Sequence, residues 1–293
     1  MPIIACYILV VVIWSTTPLA ITLSSGSVSF VAAVTLRMVA AAFFAYATCK
    51  LFKIAIPFDK KSIAAYISGA IGAFGGLLCV YWGSAYVPSG LISIMFGLTP
   101  IISAILAALI LKEQFLTTKK VFSIIISIAG LSLVFGKNVN ESAGLTGIAI
   151  ILFAVLLFNV STICVKLTGT ELHPLGQTTG TLFVSSAFYI VAWACIDGTI
   201  PNHISIINML SIIYLAIGGS VIGFIAYYFV LQKMNVVSVG LITLMTPVFA
   251  MLLGVFANNE KVINQQWIGL AIVIIGLALF VLTKQESAKK IAE

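Results

Sequence analysis

The sequence predicts an all-α integral membrane protein of ten transmembrane helices, built from two inverted five-helix repeats. Three observations predict it. Of the 293 residues, 61% are hydrophobic and only 8% charged, with a mean hydropathy of +1.21; a soluble domain of this size does not carry that balance. Apolar runs of about 20 residues, the length a bilayer asks of a helix, recur along the whole chain. Finally, residues 72–113, displaced by 147 positions, meet residues 219–260 without a gap. Gly72 falls on Gly219, Gly76 on Gly223, Tyr81 on Tyr228, Thr99-Pro100 on Thr246-Pro247, Leu106 on Leu253 and Glu113 on Glu260. Two unrelated greasy segments share Leu and Ile, not Gly, Pro, Tyr and Glu.

Taken in order, the apolar runs predict spans at about 3–23, 29–50, 62–82, 90–111, 119–136, 145–166, 176–196, 206–230, 236–257 and 265–283. Breaks fall at Ser24-Ser25-Gly26-Ser27, at Pro57-Phe58-Asp59-Lys60-Lys61 and at Pro88-Ser89-Gly90. Later breaks fall at Asn138 to Gly144, Gly198 to His203 and Asn258 to Lys261. Helices close their own backbone hydrogen bonds, which makes such runs stable in lipid. A membrane β-barrel would alternate with period two, and no such alternation is present. The first run starts at Pro2 with no basic segment before it and no small-x-small cleavage pattern, so it is expected to be a retained span. The spans divide the chain into a first repeat over 1–137, a second over 144–284 and a short cytoplasmic tail over 285–293.

Orientation follows from the lysines. With both termini in the cytoplasm, twelve lysines fall on the inside (50, 53, 60, 61, 112, 119, 120, 166, 233, 284, 289 and 290) and only Lys137 and Lys261 outside. Five spans per half is an odd number, so the second repeat enters the membrane from the opposite side. The net charge of +7 thus reflects topology and anionic headgroups, and no nucleic-acid partner is implied. The five cysteines lie scattered in apolar runs without CxxC spacing, as core residues do. His173 and His203 stand alone in short polar connections. No GxxxxGK[ST] occurs, and Gly136-Lys137-Asn138 does not qualify, so no ATPase chemistry or cofactor is expected.

The polar residues inside the spans are the functional candidates. Arg37 is the only arginine, and it lies within span 2 with no Asp or Glu inside any span to pair with it. It is either an anchor for an anionic group or a structural residue tying span 2 into the bundle; the uncharged Thr181 at the matching place favours structure. Thr99-Pro100 and Thr246-Pro247 sit mid-span, where a proline frees a carbonyl and bends the helix. Trp14-Ser15-Thr16-Thr17-Pro18 in span 1 has a counterpart in Phe158-Asn159-Val160-Ser161-Thr162 of span 6. Asn159 is the only amide deep in a span and needs a partner or a ligand. Tyr81-Trp82 mirrors Tyr228-Phe229 and offers aromatic faces with hydroxyls, while the Gly72/Gly76 and Gly219/Gly223 pairs suit close helix packing. The expected cavity residues are therefore Trp14, Thr17, Tyr81, Thr99, Asn159, Tyr228 and Thr246, with Arg37 as the outlying charge and Pro100 and Pro247 as the bends. Without a buried carboxylate or histidine, coupling to protons by a titrating acid is not expected.

These features resemble the drug/metabolite transporter superfamily of the EamA type. The resemblance rests on ten spans, the inverted five-plus-five repeat, the tryptophan-Ser-Thr of span 1 and the arginine of span 2. Its most specific part is the mid-span proline followed 13 residues later by Glu in both halves. It implies an alternating-access carrier with a cavity lined by spans 1, 3, 4, 6, 8 and 9, and with spans 5 and 10 peripheral. It further implies a multi-pass protein of the bacterial inner membrane, a monomer or loose dimer in the lipid bilayer, that moves a small-molecule substrate and is not an enzyme. Export of amino acids or related metabolites is the leading expectation. The alternatives are efflux of drugs, and exchange of nucleotide-like metabolites such as S-adenosylmethionine or nucleotide sugars. The short drug-efflux relatives depend on a glutamate in their first span, and this chain has no acid there.

Overall fold

The computed structural model describes residues 2–111, 118–135, 141–201, 203–240, 242–243, 246, 255–256 and 263–292. Those residues are helices and short connections, with no strand among them. The helices are α1 (Ile3–Ser24), α2 (Phe30–Leu51), α3 (Lys60–Ala70), α4 (Leu77–Gly83), α5 (Ser89–Phe96), α6 (Thr99–Leu111) and α7 (Thr118–Phe135). They continue as α8 (Glu141–Thr168), α9 (Pro174–Ile196), α10 (Ile206–Tyr214), α11 (Gly223–Lys233), α12 (Val236–Gly240) and α13 (Asn264–Ala292). Among the described residues, seven helical runs are long and apolar enough to cross a membrane: Ile3–Ser24, Phe30–Leu51, Lys60–Gly83, Ser89–Ile110, Gly144–Thr168, Pro174–Ile196 and Ile206–Lys233. Helices also cover the runs at 119–136 and 265–283, whereas most of the run at 236–257 lies outside the described residues, as do Glu113, Pro247 and Glu260. The last helix continues to Ala292 through the segment expected to be a tail. Its Lys, Gln, Glu and Ala residues are good helix formers, so nothing in that stretch stops the helix.

The helix starts are where local chemistry demands them. Ser29 accepts from the Ala32 amide at 3.1 Å, and Ser205 from the Asn208 amide at 3.2 Å. Asp59 accepts from the amides of Lys61 and Ser62 at 3.0 and 3.2 Å. His173 accepts through Nδ1 from Leu175 at 3.2 Å, just ahead of Pro174. Each satisfies an amide that the first turn leaves without a helical partner.

Two runs are interrupted by π-helical segments: Ile71–Gly76 between α3 and α4, and Leu215–Ile222 between α10 and α11. Both are rich in glycine, which weakens the ordinary helical register. A π turn leaves carbonyls short of partners. In the first segment the Tyr189 hydroxyl of α9 supplies one, reaching the carbonyls of Ala73 at 3.1 Å and Phe74 at 2.8 Å. The run from Ser89 is broken instead of bent: α5 ends at Phe96 and α6 begins at Thr99. Pro100 has no N–H to return to the Phe96 carbonyl, which explains the break.

Packing places α2 on α9, α1 on α10 and α11, and the α3–α4 run on α8. α7 packs mainly along α13. That seam is close: a Cβ on Gly130 would lie 2.7 Å from the Val273 amide nitrogen and 2.8 Å from the Gly269 carbonyl oxygen. The core is mainly apolar, with Val10, Val34, Met38, Ile94, Ile151 and Leu182 fully buried, and it also encloses polar side chains such as Arg37, Asn159, Gln177 and Thr181. The outward faces are also apolar, since Ile8, Val12, Phe43, Phe153 and Phe188 are each at least half exposed. Such surfaces suit lipid tails and not water.

Candidate functional site

Inside the bundle lies a cavity of about 130 Å³. That is room for roughly ten waters or one small organic molecule. Its wall comes from α1, α2, the α3–α4 run, α5 and α6, α8, the α10–α11 run and residues between Val236 and Thr246. Among the described residues neither α7 nor α13 contributes to it.

Aromatic rings set the shape of the cavity, and glycines set where the rings stand. Phe158 of α8 packs against Gly76, whose Cβ would come within 2.7 Å of the ring. Trp14 of α1 packs against Gly223, whose Cβ would come within 3.1 Å of the indole nitrogen. One turn away, Ser161 faces Gly72 and Thr17 faces Gly219. The ring of Trp14 meets Tyr227 at 5.2 Å between centroids, and Phe158 meets Phe96 edge-on at 5.6 Å. Thr162 donates its proton to the Phe158 carbonyl at 2.8 Å, so the Tyr227 hydroxyl donates to Thr162 at 2.6 Å. Hydroxyls and one amide then dot a mainly apolar wall.

Of the ten residues picked out from the sequence, Trp14, Thr17, Arg37, Thr99, Asn159, Tyr228 and Thr246 line this cavity. Tyr81 does not: it is fully buried behind Arg37, with its hydroxyl 3.5 Å from Nη1. Pro100 also stands off the wall, where α6 meets Gly240 (a Cβ there would come within 3.3 Å of the Pro100 Cα). Pro247 lies outside the described residues. Asn159 is 1% exposed and serves two purposes. Its Nδ2 donates to the Val155 carbonyl at 2.7 Å, its Oδ1 accepts from Ser103 on α6, and it borders the cavity. Tyr228 shares a hydrogen bond of 3.3 Å with Thr181. Gly72 and Gly219 pack helices closely, as expected, but they also face the cavity.

Sequence reasoning passed over Pro18, Phe96, Ser103, Phe158, Tyr227 and Thr243 as wall residues. The signal was available for two of them, Phe96 and Ser103. Ser93, Phe96, Thr99 and Ser103 are spaced three or four apart, so a cavity at Thr99 implies one at the others. Tyr227 carried no signal, because without the rotation of α11 either tyrosine could face inward.

Arg37 decides the electrostatics. It is 1% exposed, donates through Nε to Ser220 Oγ at 3.0 Å, and holds its guanidinium carbon 5.9 Å from the Tyr81 ring centre. Both partners are neutral. Among the described wall residues it is the one charged side chain. No cluster of three or more His, Cys, Asp or Glu that could hold a metal occurs among the described residues. Outside the bundle, Asp197 accepts from Ser29 and Thr199, bonds that hold its carboxyl below the usual carboxylate value.

Comparisons with known proteins agree with this architecture. The EamA-like transporter family matches residues 1–136 and 145–282. An uncharacterized transporter of Archaeoglobus fulgidus is 26% identical over 218 residues, 72% of this chain and 76% of that protein. A protein of Streptantibioticus cattleyicolor named a "probable terminal-alkyne amino-acid exporter" is 23% identical over 176 residues, 59% of this chain and 57% of that one. A solved crystal structure matches with a TM-score of 0.72 at 16% identity, covering 96% of this chain and 97% of its own, and so shares the fold. With the family matched over nearly the whole length, an apolar exterior and a cavity inside the bundle, this chain is a multi-pass membrane transporter, not an enzyme, and belongs to the EamA-like transporter family.

Proposed function

We propose that the chain is an alternating-access secondary carrier that exports amino acids or similar small metabolites across a bacterial inner membrane. The cavity carries this reading. It lies between helices from both halves of the sequence and is large enough for one small amphipathic molecule. It pairs aromatic faces with isolated hydroxyls, the mixture a zwitterion with an apolar body requires. The exporter name of the Streptantibioticus relative favours amino acids.

The topology we infer has ten spans in two inverted five-helix units, over 1–137 and 144–284, with both termini cytoplasmic. The double family match supports it. So do the matched contacts, Gly76 on Phe158 with Gly223 on Trp14, and Gly72 on Ser161 with Gly219 on Thr17. The two π-helical segments overlap under the same 147-residue displacement. In such a carrier the halves rock about the midplane and expose the cavity to each side in turn. Trp14, Thr17, Thr99, Asn159, Tyr228 and Thr246 form the wall that meets the substrate in this scheme. Tyr81 supports Arg37 from behind, and Pro100 shapes the break between α5 and α6, the bending role expected also of Pro247.

Counterflow into proteoliposomes, with labelled amino acids, nucleotide-like metabolites and cationic dyes, with and without a pH gradient, tests the substrate class. Saturable amino-acid counterflow indifferent to the gradient is the expected result; proton-driven dye uptake would replace this reading with drug efflux. For topology, single cysteines at Asp59 and His203 in a cysteine-free background should label from opposite sides. Labelling from one side would sink the inverted arrangement.

A further inference from the structure

Arg37 brings a full positive charge to the cavity wall, and the described residues give it only neutral acceptors, Ser220 and Tyr81. Among the described residues Nη2 meets no acceptor at all. The space beside it is kept clear by Gly219, where a Cβ would stand 3.2 Å from Nη2. Gly219 is itself a wall residue, so this edge of the guanidinium borders the cavity. A buried cation without a counter-charge is costly. Holding Ser220 and Tyr81 together does not require that cost. At the matching place in the second half, neutral Thr181 meets Tyr228 at 3.3 Å and accepts from Gln177 at 3.3 Å.

We infer that the counter-charge is the substrate: the cavity takes molecules bearing one carboxylate, seated on the Nη2 edge of Arg37, and rejects cations. This rests on the carrier reading of the cavity. One guanidinium matches one carboxylate, and among the described residues the cavity wall offers no second cation for the further charge of a phosphate dianion. The planar fork matches a carboxylate in geometry as well as charge. An apolar side chain would lie against Trp14, Phe96 and Phe158. Pro18 and Pro100 leave the carbonyls four residues before them, those of Trp14 and Phe96, without their usual helical donors. Both residues belong to the wall, so an ammonium group, where the substrate carries one, would have acceptors to seek there.

The test uses the full chain in proteoliposomes and counterflow of a set of neutral L-amino acids. Each is challenged by its own amide and by the corresponding amine lacking the carboxyl. For every amino acid transported, the amide and the amine should compete roughly ten- to hundredfold more weakly, the worth of a charge-assisted hydrogen bond. Arg37→Gln should bring acid and amide to parity while keeping a monodisperse folded peak, and Arg37→Lys should restore part of the preference. Should Arg37→Gln fail to fold, Gly219→Ala keeps the charge but crowds Nη2, and should weaken the acid selectively. Amides or amines that compete as well as acids in the wild type overturn the inference and leave the carrier standing. A folded Arg37→Gln that keeps the preference does the same. If no acid, amide or amine is transported, the carrier reading falls and this inference falls with it.

Discussion

Gly76→Ala gives the sharpest test of the cavity's construction. The added methyl would sit 2.7 and 2.8 Å from two carbons of the Phe158 ring. Carbon atoms settle no closer than about 3.5 Å, so the ring must retreat by about 0.8 Å. It cannot retreat toward Phe96, which already meets it edge-on at 5.6 Å. The free direction is the cavity. Overpacking a closed core costs about 1–3 kcal/mol; with an open side to yield into, the cost to folding should lie near the low end. The cost to transport is larger, because the substrate must push the ring back. About 1.4 kcal/mol borne only with substrate bound is tenfold in affinity. Gly223→Ala is the internal control, since its methyl would stand 3.1 Å from the Trp14 indole nitrogen and need a smaller shift. Thermal unfolding by size-exclusion fluorescence and initial counterflow rates measure the two costs. The reasoning is refuted if Gly76→Ala transports at the wild-type rate, or if Gly223→Ala proves the harsher change.

Other expectations separate the cavity from the frame. Asn159→Ala strips Ser103 of its acceptor and removes the side-chain donor to the Val155 carbonyl; a loss of about 1–3 kcal/mol in stability and a lowered transport rate should appear together. Gly276→Ala, whose methyl would lie 2.8 Å from the Ser127 amide nitrogen in the α7–α13 seam, should lower the unfolding temperature without changing substrate affinity. A raised KM in that variant would contradict the separation of the seam from the cavity. Asp197 provides a pH signature. Its folded value lies below the ordinary 3.8, held down by Ser29 and then Thr199. The charged form therefore favours the fold: its contribution is present above the unfolded value and fades as pH falls through the folded one. Unfolding curves of wild type and Asp197→Ala should separate near neutrality and converge as the pH falls below the ordinary carboxylate range; a gap that widens on acidification contradicts this.

Much of the helical order was legible because hydropathy alone sets where lipid-exposed runs begin and end. The caps at Ser29, Asp59 and Ser205 could be placed within a residue or two, since each polar residue precedes an apolar run. The π-helical segments were not legible. Glycine pairs at 72/76 and 219/223 announce close packing, but a π turn needs the added knowledge that Tyr189 waits to take the carbonyls it frees. The cavity was readable where composition is unusual, at Trp14, Arg37 and Asn159. It was only half readable at Phe158, marked as the counterpart of Trp14 but not as wall, and unreadable at Tyr227, an ordinary residue in a greasy helix that matters only through rotation. Tyr81 misled for the same reason. Its displacement onto Tyr228 is sound as sequence, yet Tyr228 borders the cavity while Tyr81 is shut behind the Arg37 side chain that occupies its side of the chamber.

That inequality bears on how a two-fold scaffold comes to hold an asymmetric cargo. If both halves were decorated alike, the chamber would carry equivalent groups on opposing walls and favour ligands of matching symmetry. The backbone partners are alike, glycine against aromatic and glycine against hydroxyl in each half. The side chains that set polarity are not. Arg37 stands where the other half has Thr181, and Trp14 stands where the other half has Phe158. On the proposed repeat, the shared glycine contacts are what allow either half to rock against its neighbour, and the unshared Arg37 is what orients the molecule between them. Arg37→Thr together with Thr181→Arg then becomes a discriminating double exchange. It moves the charge to the buried place behind Tyr228, a wall residue of the other half, without changing the composition. A carrier that still transports, but now with altered stereochemical preference, would separate the scaffold's task from the arginine's. A carrier that loses its preference for acids only in the Arg37→Thr single variant, and regains it in the exchange, would show that either wall can orient the cargo.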